Sequence, residues 1–281
     1  MPYRVYFRRM KALSKKQFRW IKIIVAIYAI AGIAFYYLQE KIIFHPWNIP
    51  VSQAFDFKDP FVETNLRLDE TTNYNLVQFK TKDTITKGVV LYFHGNKGNI
   101  NRYAKFAKNF TRNGYEVWMI DYPKFGKSTG TLSEANLNEM ALQLYKLARV
   151  RYQPAQIVLY GKSLGTGIAA QLASIRDCKQ LILETPYNSM VSLVSHYALI
   201  YPIESMLKFK FHTDQYLAKV TAPICIFHGT DDALIPLSNA EKLKKVLKPS
   251  DQFLILQKGT HHNLNDFPQM QQALDSLLQR P

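Results

Sequence analysis

At 281 residues, 47% of them hydrophobic, the chain is long enough to bury one full-sized core. Its net charge of +15 would suggest a nucleic-acid partner if it were spread as a stripe, but eight of the 36 basic residues fall within positions 1–22, where no acid stands. The remainder carries 28 basic against 21 acidic side chains, a mildly basic balance that leaves a nucleic-acid reading without support.

Residues 1–19 form a basic tail containing Arg4, Arg8, Arg9, Lys11, Lys15, Lys16 and Arg19. Residues 20–38 follow as an apolar run whose one charge, Lys22, stands near its edge. The 18 residues Ile21–Leu38 cover roughly 27 Å as a helix, enough to span a hydrocarbon core. Trp20 at one end and Tyr36-Tyr37 at the other suit the two interfaces. The stretch is long for a cleaved signal peptide, and its small residues lie inside it, so an uncleaved single-pass anchor is expected. With seven basic residues before the span and only Lys41 close behind, the N-terminus is expected on the cytoplasmic side and residues 39–281 on the other. The two cysteines, Cys178 and Cys225, supply no disulfide framework, and Cys225 lies in an apolar run.

After the anchor, Ile42–Asn73 is rich in Pro, Asn and Asp and reads as a segment docked by its aromatic residues. Tyr74–Lys80 alternates and reads as the leading edge strand of a sheet. Buried strands and amphipathic helices then alternate: strand Val89–Phe93, helix Ile100–Arg112, strand Glu116–Ile120 and helix Leu137–Arg149. Strands follow at Ile157–Tyr160, Leu181–Glu184, Ile224–Phe227 and Phe253–Leu256, with helices at Ser238–Leu247 and Phe267–Leu278. This order predicts a mostly parallel, doubly wound α/β sheet with ligands at the carboxyl ends of its strands. One apolar interruption, about 186–221, reads either as a short helical cap over the site or as a structural helix pair.

The stretch that carries chemistry is Gln156–Ile168. Strand Ile157–Tyr160 runs into Gly161-Lys162-Ser163-Leu164-Gly165 and onward into a helix, the context in which G-x-S-x-G forms a nucleophile elbow. A serine hydroxyl is a poor nucleophile at neutral pH and needs an imidazole base, which in turn needs a carboxylate to fix its tautomer. Two later strand ends supply these as adjacent pairs, Asp231-Asp232 and His261-His262, in the chain order Ser, Asp, His. The chemistry of the residues does not choose within either pair. His94 and His228, each before a glycine at a strand end, read as structural, and His45, His196 and His212 fall outside the pattern. No compact zinc spacing occurs, and no metal or cofactor is expected. The oxyanion hole is expected from the backbone N–H groups of Leu164 and Asn96, with Lys97 as a candidate substrate contact.

These motifs resemble the α/β-hydrolase superfamily and, within it, the membrane-anchored Bem46-like group that includes α/β-hydrolase-domain proteins 13 and 17. The resemblance covers Phe44 to the C-terminus. It rests on His94-Gly95-Asn96-Lys97-Gly98-Asn99, Asp121–Ser128, Gly161–Gly165, Glu184-Thr185-Pro186-Tyr187-Asn188-Ser189, His228–Pro236 and Gly259–Asn263. It implies Ser163, Asp232 and His262 as the triad and puts Tyr187 among candidate substrate-proximal residues. Departures at Lys97, Pro123, Lys124 and Thr166 leave each triad position filled. The implied activity is hydrolysis of carboxylic esters or thioesters of lipophilic acyl groups, with the bilayer as a second partner. The alternatives are a serine aminopeptidase on the same scaffold and an inactive anchored binding domain. Oligomeric state is left open.

Overall fold

The computed structural model describes residues 14–279, so the first part of the basic tail lies outside the described residues. The chain divides into two compact units, Met1–Ile42 and Ile43–Pro281. In the first, helix α1 (Lys15–Ile43) extends the expected span at both ends and has a mean hydropathy of 2.0. Among the described residues it is the one helix long and apolar enough to cross a membrane.

The second unit is built on an eight-stranded sheet. Its strands are β1 (Phe61–Arg67), β2 (Asn73–Phe79), β3 (Gly88–Phe93), β4 (Tyr115–Ile120), β5 (Ile157–Lys162), β6 (Gln180–Glu184), β7 (Ile224–Gly229) and β8 (Gln252–Leu256). In space they run β1-β2-β4-β3-β5-β6-β7-β8. The six from β3 to β8 are parallel, whereas β1 and β2 are antiparallel additions at one edge. Strands β3 to β7 are buried at every position, as expected for a parallel sheet covered on both faces.

Tyr74–Lys80, expected as the leading edge strand, is covered by β1, which lies inside the segment Ile42–Asn73 expected only to dock through its aromatic residues. The residues of β1, FVETNLR, alternate Val62, Thr64 and Leu66 with Glu63, Asn65 and Arg67, but all seven stay at least partly exposed and the apolar side is weak. Helix Ile100–Arg112 is also revised: α-helical turns at Ile100–Tyr103 and Lys108–Thr111 flank a 3-10 turn at Ala104–Phe106. Ser238–Leu247 divides in the same way, into Leu237–Ala240 and a 3-10 segment, Glu241–Val246. Helices α2 (Glu134–Arg149), α3 (Leu164–Ala173) and α5 (Pro268–Gln279) form near the expected positions, with Ser133 capping α2 through its hydroxyl. The 186–221 interruption holds α4 (Met190–Tyr197) and two shorter helical turns, Ile203–Met206 and Thr213–Leu217.

Strand order reverses direction between β3 and β5, which pair directly with Phe93 beside Gly161. At such a switch point the loops leaving neighbouring strands diverge to opposite faces and open a crevice. Ser163 follows one strand and His94-Gly95-Asn96-Lys97 follows the other.

Candidate active site

Ser163 sits between β5 and α3 with φ 52° and ψ −118°, a conformation side chains rarely adopt. Three backbone or near-backbone ties hold it there. Its N–H donates to the Glu184 carbonyl at 2.9 Å, and its own carbonyl accepts from the Thr166 N–H at 2.9 Å and hydroxyl at 2.6 Å. The flanking glycines are required by proximity. A Cβ on Gly161 would lie 2.5 Å from the Gly165 carbonyl oxygen, and one on Gly165 only 2.1 Å from that of Phe93. The turn is therefore packed against the end of β3.

The acid and base loops are joined backbone to backbone. The Asp231 N–H donates to the Gly259 carbonyl at 2.8 Å, and Gly229 packs so closely that a Cβ there would meet that same oxygen at 2.1 Å. In the second loop the Asn263 side chain accepts from the Thr260 N–H at 2.7 Å and closes the turn around the two histidines. The turn directs His261 inward. Its Nε2 lies 2.8 Å from Ser163 Oγ, and its Nδ1 lies 2.8 Å from Asp232 Oδ2. The carboxylate's other oxygen accepts from the Leu234 and Ile235 N–H groups at 2.9 and 2.8 Å.

This corrects one expectation from the resemblance: the imidazole between Ser163 and Asp232 is His261, not His262. His262 is exposed, and its ring meets that of His261 edge-on at 5.1 Å. Two adjacent side chains on one tight turn cannot both face the serine, and the turn gives the inward place to the first. Within the other pair, Asp232 is the inner residue, while Asp231 accepts from the Thr230 hydroxyl on the exposed side.

Burial works to raise the Asp232 pKa, but the hydrogen bond and charge of His261, the Ile235 N–H and the charge of His228 together hold it below the usual carboxylate value. Partial burial, then the charges of His261, Lys162 and Arg102, lower the pKa of His262. His228 and His94 are fully buried. His228 Nε2 lies 2.9 Å from the Ile235 carbonyl and steadies the acid loop, while burial lowers its pKa. His94 stacks between Tyr103 and Tyr122 and ties to the Gly95 carbonyl at 2.7 Å.

Next to Ser163 lies a cavity of about 420 Å³. Gly95, Asn96, Lys97, Lys162 and both histidines line it, so the expected oxyanion loop faces the nucleophile. The Asn96 carbonyl accepts from the His45 N–H at 2.9 Å and its side chain donates to the Ile43 carbonyl at 2.6 Å, which fixes the loop. Tyr187 does not reach the cavity. It is 1% exposed and lies behind the elbow, donating to the Leu164 carbonyl at 3.1 Å against Gly167. Its proline-linked position just after β6 turns it beneath α3 instead. No residue of 186–221 is among the described residues that line the cavity; Tyr197 donates to the carbonyls of Ala233 and Leu234, at 3.1 and 3.0 Å.

Sequence reasoning missed a buried network directly behind the elbow. Lys162 and Tyr160 both donate to Glu184, which also accepts from Asn265 at 2.8 Å. Lys162 precedes the nucleophile, and Asn265 follows the histidine turn, so one carboxylate ties both loops. The signal was present as a lysine inside the elbow and a glutamate ending the next strand.

Residues 84–209 match the family described as "Hydrolase_4: Serine aminopeptidase, S33". Over 202 residues the chain is 28% identical to human Protein ABHD12B, covering 63% of this chain and 56% of that protein. It is 31% identical over 187 residues to the rat Lysophosphatidylserine lipase ABHD12, covering 59% of this chain and 46% of the relative. The Pyrococcus furiosus esterase Pf2001 superposes with a TM-score of 0.64 at 15% identity, over 85% of this chain and 98% of the esterase. The chain has the α/β-hydrolase fold. It spans about half the length of the curated relatives it matches.

Proposed function

We propose that the protein is a serine hydrolase that cleaves carboxylic esters or thioesters of lipophilic acyl groups. The observation that carries this reading is the continuous hydrogen-bonded path from Ser163 through His261 to Asp232. In the reaction, His261 Nε2 takes the hydroxyl proton as Ser163 Oγ attacks the acyl carbon. The imidazolium then protonates the departing alcohol or thiol, leaving an acyl group on the serine. Water, deprotonated by the same nitrogen, attacks that acyl carbon, and the proton returns to Ser163 as the acid leaves. Asp232 stays ionised throughout, holding Nδ1 protonated and stabilising the imidazolium. The N–H of Leu164, at the start of α3, and that of Asn96 receive the negative oxygen in each tetrahedral state.

The esterase and lipase names among the relatives support the ester class, and α1 supports a lipophilic acyl chain presented from a bilayer. The family description raises the aminopeptidase alternative, which the cavity disfavours. A peptide's free ammonium needs an acid to hold it, and among the described residues the lining contains four lysine or arginine side chains and no carboxylate. Glu204, the one acid in the 190–211 stretch, pairs with Lys210 at 2.9 Å. Purified protein given nitrophenyl esters, acyl thioesters and aminoacyl arylamides tests the choice. Faster turnover of esters or thioesters, rising with acyl length, is expected, and preference for aminoacyl arylamides would overturn it.

On the same footing, α1 is proposed to be an uncleaved anchor with the N-terminus cytoplasmic and the catalytic unit across the membrane. An impermeant protease added to sealed vesicles of known orientation tests this, and digestion of the catalytic unit only from the cytoplasmic face would reverse it.

A further inference from the structure

The cavity beside Ser163 has an uneven charge. Among its lining residues Lys97, Arg102, Lys105 and Lys162 are cationic and none is acidic. Lys162 is neutralised from behind by Glu184. Lys97, Arg102 and Lys105 are exposed, and among the described residues they form no ion pair. Elsewhere on the unit many basic side chains have a carboxylate partner: Lys80 with Glu116, Arg112 with Asp275, Lys127 with Glu63, Lys248 with Asp251. Three cations without carboxylate partners at one mouth, Lys105 among them over the Phe106 ring at 5.0 Å, give a positive field that favours an anion there.

Their backbone is fixed. Lys97 belongs to a two-residue strand paired with His45–Pro46, and Trp47 N–H donates to the Gly98 carbonyl at 3.0 Å. The buried Tyr103 donates to the Lys97 carbonyl at 3.0 Å, which locks the turn bearing Arg102 onto that loop. Burial raises the Tyr103 pKa to about 12, so the hydroxyl stays a donor across the working range. Arg102 also packs over Gly98, where a Cβ would come within 3.1 Å of its side chain. A guanidinium held this way offers paired donors to a planar or tetrahedral anion, and the flanking lysines add charge.

We propose that Lys97, Arg102 and Lys105 form an anion subsite, and that the preferred substrate is an ester carrying a phosphate or carboxylate group. This rests on the hydrolase reading above. Two ester series with one acyl length test it: a phosphate on the alcohol portion, or a free carboxylate on the acyl portion, each beside its neutral counterpart. Wild-type kcat/KM should favour at least one anionic ester by about tenfold, with the advantage shrinking as salt rises. In the Lys97→Ala/Arg102→Ala/Lys105→Ala variant the anionic-to-neutral ratio should fall about tenfold, to near parity. Arg102→Lys should lose part of that preference. The series that responds tells which side of the scissile bond bears the charge. An equal loss on both esters, or a wild-type preference for the neutral one, overturns the proposal.

Direct binding separates this failure from failure of the hydrolase reading. Ser163→Ala protein titrated calorimetrically with an alkyl phosphate and an alkyl carboxylate should bind one of them, and the triple variant in that background should not. If neither ester series is hydrolysed but binding follows this pattern, the subsite stands and the hydrolase reading falls. If neither anion binds, the subsite falls whatever the activity.

Discussion

Glu184→Gln tests the network behind the elbow. Glu184 is completely buried and Lys162 is 6% exposed, so the substitution leaves a near-buried ammonium without its counter-ion while keeping the side chain's shape. Breaking one partner of such a pair costs about 3–5 kcal/mol. For a unit of this size each kcal/mol lowers Tm by about 2–4 °C, so the fall should lie between about 6 and 20 °C. The substituted amide retains a carbonyl for Asn265 but carries no charge to match the Lys162 ammonium. Adding Lys162→Met should recover much of the loss, because the double variant removes both charges. Calorimetric or fluorescence melts of the two single variants and the double variant measure this directly. Because Lys162 adjoins Ser163 and Asn265 follows the histidine turn, kcat should fall with Glu184→Gln even well below its Tm. A Tm change under about 2 °C, or strict additivity of the two substitutions, would refute the coupling.

Two further outcomes follow from the elbow and its acid. Gly165→Ala should destabilise by about 1–3 kcal/mol or more and abolish turnover, since the added methyl falls 2.1 Å from the Phe93 carbonyl; a folded, active variant would contradict the close approach. Asp232 is held below its ordinary pKa of 3.8, so the unfolded chain binds its proton more readily than the folded one. Its stabilising contribution is therefore present above about pH 4 and is lost as pH falls through the lower folded value. Asp232→Asn should show less loss of Tm between pH 5 and pH 3 than wild type, and parallel acid curves would rule this out.

Much of this architecture is legible in the sequence because it rests on local patterns. Continuous apolar runs mark β3 to β7, and Gly161–Gly165 marks the elbow because only glycine fits where the turn meets β3. The antiparallel edge strand Phe61–Arg67 is harder to read, since its half-exposed alternation of Val62, Thr64 and Leu66 with polar residues is weak and lies at the end of a Pro-, Asn- and Asp-rich segment. The base is the sharper lesson. His261 and His262 are chemically identical, and matching a histidine next to Asn263 selects the wrong one. What decides is the turn closed by Asn263 on Thr260, together with the Gly229–Gly259 contact that brings Asp232 alongside. Tyr187 failed for a related reason. Nearness in sequence to a strand end does not say above or below the sheet's crevice, and its hydroxyl lies under α3.

The central claim, an activated Ser163 with His261 as its base, is tested most directly by the rate of covalent labelling with a fluorophosphonate probe. Wild type should label rapidly and Ser163→Ala not at all. His261→Ala should label about 10⁶-fold more slowly, the scale on which removing a triad base lowers turnover. His262→Ala should stay within a few-fold of wild type. Loss of labelling in His262→Ala with retention in His261→Ala would contradict the account.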